Sequence, residues 1–220
     1  MRRLLVGLFM VAEIASLGWR GVLAAPRVEP DGAASQSRQI PPEIHELALR
    51  IIESANHGGL PFAIVNKHSA LVAVYRGDGT LVGLSTVLLG LSVGDTSAPG
   101  VGERTRDGRL RISDRTTPAG RFESEPGHDL SGDALVWIDY DSAFAIHRLH
   151  AAPAKERRPQ RLASANARDK RISAGCVVVP EAFYAAVVQP TLGRSRGLVY
   201  VMPEERPWQA MWQDIVKPEP

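Results

Sequence analysis

Short runs of apolar and β-branched residues, separated by turn residues, recur through most of the chain and restrict what it can fold into. Runs of about four to eight such residues, bounded by Gly, Asp or Pro, are typical of strands. Strands are predicted at 62–66, 71–75, 81–87, 120–123, 134–138, 144–147 and 198–202, with a further candidate at 110–112. The pattern therefore predicts a mostly β, sandwich-like domain with a few short helices.

Helical periodicity is confined to short segments. Four apolar residues within 42–55 fall on one face of a predicted helix. Pro180 occupies the first turn of a second predicted helix, a position that proline favours. Trp208 and Trp212, four residues apart, predict one helical turn packed on the body of the protein. Residues 91–116 are rich in Gly, Asp and Arg, and a loop of that length inside a domain is usually functional or mobile.

The first 24 residues have the pattern of a secretory signal peptide. A basic start is followed by the apolar run from Leu4 to Ala12, and small residues place the cleavage point after Ala24 or Ala25. This apolar run is too short to span a bilayer, which needs about 20 residues. Two charged residues interrupt the pattern, so an uncleaved anchor or a misassigned start codon stays open. We expect export to the periplasm or cell envelope, with no stable membrane span after the signal is removed.

Charge and cysteine usage exclude several classes of protein. The formal net charge is +2, and the first 24 residues carry three Arg and one Glu, so the rest of the chain is neutral. A globally basic nucleic-acid-binding protein is therefore not expected. The single cysteine excludes a disulfide scaffold and a Cys-rich zinc site. The predicted organisation is a signal peptide (1–24), a linker with a short helix (25–60), a main domain (61–203) and a tail (204–220).

Cys176 has no partner in its own chain, although exported proteins usually pair their cysteines. It is therefore a buried inert thiol, half of an intermolecular disulfide, or a nucleophile. Gly175 precedes it and a β-branched run follows it, while His147 and His150 follow the strand-like run at 144–146. A cysteine and a histidine on adjacent strand ends form the minimal pair for acyl transfer. Zinc ligation by the same residues lacks a fourth ligand at suitable spacing, so no cofactor is expected.

Three motifs resemble one known family. Residues 172–177, Ile-Ser-Ala-Gly-Cys-Val, resemble the nucleophile signature of the L,D-transpeptidase (YkuD-like) catalytic domain, usually Ser-His-Gly-Cys followed by an aliphatic residue. Residues 145–147, Ala-Ile-His, resemble the family's strand that carries the general base. Residues 117–122, Thr-Pro-Ala-Gly-Arg-Phe, are similar to its Thr-Pro-x-Gly-x-Phe element, and Gly90 falls where the family tends to have a glycine. The resemblance covers about residues 61–202.

The resemblance implies a role for each matching residue. Cys176 would attack a peptidoglycan stem peptide at an L-to-D bond, and the resulting thioester would pass to an amine of a second stem peptide or of a wall-anchored protein. His147 would be the general base, oriented by a backbone carbonyl. Gly175 and Cys176 would offer backbone N–H groups to the oxyanion, and Ser173 would shape their loop. The family's nucleophile is also acylated by carbapenems, and no cofactor is involved.

The chain departs from the family's pattern at several positions. Ala174 replaces the usual histidine, so the role of that imidazole is absent or supplied by His150, which is expected to support the site together with Arg148. Val178 replaces a polar residue. The 25 residues between the predicted base and Ser173 exceed the family's common spacing. These departures keep open a wall-peptide hydrolase on the same scaffold, and a non-catalytic wall-binding module whose inert cysteine would lack the depressed pKa of a reactive thiol.

Residues 151–171 are strongly basic, with seven Lys or Arg against one Glu and one Asp. The segment is predicted to be either a solvated, mobile loop or a lid whose charge attracts the carboxylates of stem peptides. Under the second alternative, Arg157, Arg158 and Arg171 bind substrate. Trp137 and Tyr140 are predicted to pack in the core rather than to line a cleft.

Overall fold

The computed structural model describes residues 40–216, so the predicted signal peptide and most of the linker lie outside the described residues. The strands are β1 (Phe62–Asn66), β2 (Leu71–Tyr75), β3 (Leu81–Thr86), β4 (Leu89–Gly90), β5 (Gly120–His128), β6 (Ala134–Asp139), β7 (Phe144–Arg148), β8 (Arg171–Ser173), β9 (Val177–Val179) and β10 (Gly197–Val201). The α-helices are α1 (Pro42–Glu53), α2 (Val101–Arg106), α3 (Arg158–Ala163), α4 (Glu181–Phe183), α5 (Gln189–Thr191), α6 (Trp208–Met211) and α7 (Gln213–Val216). A π-helical turn at Tyr184–Val188 joins α4 to α5.

Eight strands form the main sheet, in the order β3-β2-β1-β10-β5-β6-β7-β9. Strand β5 belongs to both halves, because residues 120–124 pair with β10 and residues 125–128 pair with β6. Neighbouring strands are antiparallel except for the pairs β1–β10 and β7–β9. Strands β4 and β8 form a separate two-stranded sheet. The predicted mostly β class with a few short helices is confirmed.

The largest hydrophobic cluster draws on both halves of the main sheet. Val65, Val72 and Val199 come from one half, and Val136, Ile146 and Val177 come from the other. Burying these side chains against one another removes apolar surface from water, which is the main favourable term in folding. The arrangement agrees with the sandwich-like core predicted from the strand pattern.

A second cluster covers the other face of β1, β2 and β10. Ile44 and Leu47 of α1 pack there with Trp208, Trp212 and Ile215 from the end of the described chain. Strand β1 is consequently buried at all five positions, as expected for a strand covered on both faces. The predicted helix near residue 42 and the predicted helical turn at the two tryptophans are both confirmed. None of the helices within residues 40–216 is long and apolar enough to cross a membrane.

The predicted strand at 110–112 is wrong. The stretch from 91 to 116 instead contains α2 and a 3-10 turn at Ile112–Asp114. The physical reason is ionic: the buried Asp114 carboxylate accepts two bonds from Arg104, at 2.7 and 2.8 Å, and further bonds from Arg111. A buried carboxylate must be paired with charge and hydrogen bonds, so this cluster fixes the segment without strand pairing.

The basic segment 151–171 is folded onto the body rather than extended as a solvated loop. Helix α3 buries Leu162 against Leu88 and Val178. Arg161 closes the segment on itself by donating to the carbonyl oxygens of residues 156 and 169. The segment thus has a defined shape next to the end of β7.

A buried lysine connects β1 to three distant parts of the chain. Lys67 Nζ donates to Asp95 Oδ1 at 2.7 Å and to the carbonyl oxygens of Gly94 and Thr117 at 2.6 and 3.0 Å. The Glu204 carboxylate lies 3.4 Å from the same nitrogen, and the lysine side chain is fully buried. Because the ammonium is paired and bonded to carbonyls, its burial is tolerated, and it holds the segment that contains Thr117.

Candidate active site

The pairing of β7 with β9 places Cys176 and His147 on one face of the sheet. In this parallel pair Ile146 is opposite Val177, and both side chains point into the core. Successive side chains of a strand point to opposite faces. His147, which follows Ile146, and Cys176, which precedes Val177, therefore both point away from that core, and both line one cavity.

This cavity has a volume of about 340 Å³, within the usual range for ligand sites. Its walls are the end of α2, the tip of the β5–β6 hairpin and an aromatic pair. Trp137 and Tyr140 form the pair, with ring centroids 5.0 Å apart in an edge-to-face arrangement, and Tyr140 is 65% exposed. The prediction that these two side chains pack in the core is wrong: Trp137 follows the core residue Val136 in β6 and so points to the opposite face, and Tyr140 lies in the turn after β6.

The imidazole of His147 is held in one tautomer. Its Nδ1 lies 2.8 Å from the backbone oxygen of Arg148, and since a carbonyl can only accept, Nδ1 carries the proton. Nε2 is then left with a free lone pair. Burial lowers the pKa of His147 to about 4, with a smaller contribution in the same direction from the charges of His150 and Arg158. The imidazole is neutral at pH 7 and can accept a proton.

The lowered pKa of His147 predicts a pH-dependent contribution to stability. Between pH 6.5 and 4 the unfolded state binds a proton that the folded state does not, so stability falls as the pH drops through this window. A shift of this size corresponds to about 3 kcal/mol in the free energy of unfolding, most of which is lost between pH 7.5 and 4.5. Urea unfolding at pH 4.5 and 7.5 measures it, and His147→Gln should reduce the difference between the two pH values. An unchanged difference in the variant contradicts the assignment.

Cys176 is half-buried, and its Sγ lies 3.4 Å from the backbone oxygen of Ala143, to which the thiol donates. Burial raises the pKa of Cys176 above its ordinary value. This direction is opposite to the depressed pKa expected of a reactive thiol. At neutral pH the resting site therefore contains a neutral thiol and a neutral imidazole rather than an ion pair.

Ser173 fixes the loop that carries Cys176. Its Oγ donates to the backbone oxygen of Cys176 at 2.7 Å and accepts from the N–H of Gly175 at 3.1 Å. The loop-shaping contact expected of Ser173 is therefore present. The Gly175 N–H, however, is already bonded and is not free for an oxyanion, which corrects the role expected for it.

Thr117 connects this loop to the rest of the domain. Its hydroxyl accepts from the N–H of Gly90 at 2.8 Å and donates to the backbone oxygen of Gly175 at 2.7 Å. A Cβ on Gly90 would lie 2.4 Å from a carbonyl oxygen of the segment before Thr117, so only glycine fits there. Gly175 has φ 136°, a conformation that also favours glycine. Gly90, Thr117 and Gly175 are thus connected by hydrogen bonds, and this connection positions Cys176.

His150 and Arg148 lie beside the predicted base. The ring centroids of His150 and His147 are 5.0 Å apart. His150 Nδ1 lies 3.8 Å from Asp133 Oδ2, while Arg148 donates to Asp133 Oδ1 at 2.7 Å. Within residues 40–216, Asp129, Asp133 and His150 are the one group of three such side chains close enough to hold a metal ion, with ligand atoms within 4.8 Å. Because Arg148 already places a positive charge on Asp133, we assign no metal to them.

The three arginines predicted to bind substrate are placed differently. Arg157 and Arg158 line a neighbouring cavity of about 420 Å³, which shares His150 with the Cys176 cavity. Arg158 also donates to Glu156 at 2.6 Å. Arg171 lines neither cavity: its guanidinium forms an ion pair with Glu204 and donates to two backbone carbonyls, which is a structural role.

Sequence reasoning missed the contribution of α2 to the cavity, through Thr105 and Arg106. The richness of 91–116 in Gly, Asp and Arg marked the stretch as functional or mobile, but it gave no sign of which arginine faces the site. Sequence reasoning also missed Leu130, an almost fully exposed residue at the tip of the β5–β6 hairpin that lines the cavity.

No family model and no curated protein matches the chain. Solved structures do. The L,D-transpeptidase (residues 123–326) from Xylanimonas cellulosilytica is 15% identical, with a TM-score of 0.39, and the match covers 64% of this chain and 60% of that one. The helical cell shape determining protein Pgp2 from Campylobacter jejuni is 14% identical, with a TM-score of 0.44, over 74% and 57% of the two chains.

The L,D-transpeptidase LdtMt1, solved in complex with imipenem, is 14% identical, with a TM-score of 0.39, over 64% and 58% of the two chains. The chain thus spans 57–60% of the length of these three structures. Because the identities are low and the TM-scores lie below 0.5, the function proposed below rests on the residues of the chain itself. The chain is similar to L,D-transpeptidases of known structure, the same family that its three sequence motifs resemble.

Proposed function

We propose that the protein is an exported cysteine acyltransferase that acts on peptidoglycan stem peptides by L,D-transpeptidation. The observation that carries the proposal is the placement of Cys176 and His147 on one face of adjacent strands, in one cavity. His147 keeps its Nε2 lone pair free because Nδ1 donates to the Arg148 carbonyl. A thiol with a neutral imidazole beside it is the pair that acyl transfer requires.

The chemistry proceeds in two balanced steps. As Cys176 Sγ attacks the carbonyl at the L-to-D bond, His147 Nε2 takes the thiol proton and then gives it to the leaving amine, so a C–S bond replaces a C–N bond. An acceptor amine of a second stem peptide, or of a wall-anchored protein, then attacks the thioester. It loses a proton to His147, and the thiolate leaves and recovers that proton. Because thiol and imidazole are both neutral at rest, proton transfer accompanies the attack.

The surrounding residues support these steps in different ways. The bonds of Thr117 and Ser173 to the Gly175–Cys176 loop keep the sulfur in place. Arg157 in the adjoining cavity supplies positive charge to the acidic stem peptides. The signal peptide at 1–24 and the resulting cell-envelope location are part of the proposal, since peptidoglycan lies outside the cytoplasm.

One observation favours a second candidate, a non-catalytic wall-binding domain. Burial raises the pKa of Cys176, as expected for an inert thiol. The third candidate, a hydrolase, differs from the transferase only in using water in place of the acceptor amine. The hydrolase predicts a shortened donor without cross-linking, and the non-catalytic domain predicts no product.

The test uses the full chain with a synthetic stem peptide that ends in an L-to-D bond, together with an excess of a second stem peptide as acceptor. We expect release of the terminal D-amino acid and a cross-linked product, both detected by mass spectrometry. His147→Gln is the control, and it should slow the reaction by about 100- to 10,000-fold because it removes the base. A shortened donor without cross-linking identifies a hydrolase, and an unchanged donor with folded protein identifies a non-catalytic domain.

A further inference from the structure

Arg106 is the single Lys or Arg among the described residues that line the Cys176 cavity. It lies at the end of α2, and its side chain is exposed. Within residues 40–216 it forms no ion pair and no side-chain hydrogen bond, and the Asp129 carboxylate in the same cavity is not within ion-pair distance of it. Arg106 therefore brings an unpaired positive charge to the wall of the cavity that Cys176 also lines.

The neighbouring arginines at 104, 109 and 111 are all paired, and Arg115 does not line the Cys176 cavity. Arg104 and Arg111 bind the buried Asp114 carboxylate, whose pKa they hold well below its usual range. Arg109 pairs with Asp107 at the surface. Among the four arginines between residues 104 and 111, Arg106 is the one without a carboxylate partner, although two of its neighbours bind the same carboxylate.

The helix that carries Arg106 is rigidly attached. A Cβ on Gly102 would lie 1.9 Å from the backbone oxygen of Asp141, so the backbone of α2 is in direct contact with the turn between β6 and β7. The Arg104–Asp114 pair anchors the middle of the helix, and Thr105 Oγ1 donates to the backbone oxygen of Val101 at 2.8 Å. A guanidinium on such a support needs little further ordering to bind an anion.

We propose that Arg106 binds the terminal carboxylate of the acyl-donor peptide, on the residue that leaves when Cys176 is acylated. The inference rests on the proposed function and specifies its donor. A guanidinium matches a carboxylate through two parallel hydrogen bonds. A cavity of about 340 Å³ holds only a few amino-acid residues, so an anion bound at Arg106 and a carbonyl at Cys176 belong to neighbouring residues of one peptide. The site then selects donors that end one residue after the reacting bond.

Asp129 and His147, which line the same cavity, do not compete for this carboxylate. Asp129 is negative, and its Oδ1 accepts from the N–H groups of Ser131 and Asp133. His147 is neutral at pH 7 because burial lowers its pKa to about 4. The permanent positive charge of the cavity is thus located at α2, so the donor peptide binds with its C-terminal end toward α2.

The test compares two donors that differ only at the C-terminus, one a free carboxylate and the other its primary amide. With the full chain we expect kcat/KM to be about 10- to 100-fold higher for the acid, as a charge-assisted hydrogen bond predicts. Arg106→Gln should lower the value for the acid to that for the amide and leave the amide unchanged. Arg106→Lys should show part of the parent's preference for the acid, because lysine keeps the positive charge but lacks the two parallel N–H donors of the guanidinium.

Arg109→Gln is the matched control, since Arg109 lies on the same segment but outside the cavity, and it should keep the full preference for the acid. Thermal unfolding of Arg106→Gln should match the parent chain, because the side chain is exposed and unpaired. Equal rates with acid and amide in the parent chain, or a preference that survives in Arg106→Gln, overturn the inference and leave the proposed function standing. No product from either donor overturns both.

Discussion

Replacing Cys176 with Ala is expected to abolish covalent labelling of the protein by a carbapenem. The strained β-lactam carbonyl is an acyl donor, and Cys176 is the single cysteine among 220 residues. If the Cys176–His147 pair performs acyl transfer, the parent chain gains the mass of one carbapenem and the variant gains none. The rate should fall by at least about 1,000-fold, the scale of loss seen when an enzyme's nucleophile is removed. Intact-mass spectrometry of the full chain measures the adduct directly.

Two further variants make this result specific. His147→Gln should still bind the carbapenem but form the adduct about 100- to 10,000-fold more slowly, because it lacks the base. Arg196→Gln, an exposed residue paired with Glu123 outside the Cys176 cavity, should label like the parent chain. A parent chain that forms no adduct, and whose thiol also resists simple alkylation, contradicts the acyltransferase and favours the non-catalytic domain.

The second large effect concerns stability. Lys67→Met should reduce the free energy of unfolding by about 3–5 kcal/mol, because it leaves a buried charged group without its partner. The Asp95 carboxylate, whose side chain is 9% exposed, would then lose its cation, and the Glu204 carboxylate, 5% exposed, would keep only Arg171. Two backbone carbonyls, those of Gly94 and Thr117, would also lose their donor. Urea unfolding at pH 7 gives the value.

The same network offers its own control. Combining Lys67→Met with Asp95→Asn removes the carboxylate left without a cation while Glu204 stays paired with Arg171, and it should recover part of the lost stability, because the cost comes from unpaired charge. Arg196→Met breaks an ion pair whose side chains are 70% and 67% exposed, and it should change stability by less than about 1 kcal/mol. A Lys67→Met variant as stable as Arg196→Met would show that the buried lysine is not the support described above.

The strands and the Cys176–His147 pair could be predicted because their signals are local. A strand is evident in five consecutive residues such as Phe62–Asn66, and the reactive pair is evident in two short motifs. The apolar residues of 110–112 gave the same kind of signal and were misleading, because the charge on Asp114 outweighed them. Local patterns do not include the cost of burying a carboxylate.

The parts that could not be predicted depend on contacts between distant residues. The ion pair of Lys67 with Glu204 joins positions that no local pattern connects, and the same holds for Arg171, whose partner is also Glu204. Among the five arginines of residues 91–116, sequence alone does not tell which guanidinium already has a carboxylate partner. The lack of a carboxylate partner at Arg106 could be recognised only once the partners of its neighbours were known.

The neutral state of the Cys176 thiol has a consequence for the chemical durability of the protein. Hydrogen peroxide converts thiolates to sulfenic acid, and small disulfides exchange with thiolates, whereas protonated thiols react slowly with both. A raised pKa keeps the thiolate fraction small while the cavity is empty. A chain with one cysteine has no second thiol with which to reverse such damage through an internal disulfide. Keeping the sulfur protonated until a substrate arrives is the protection that remains.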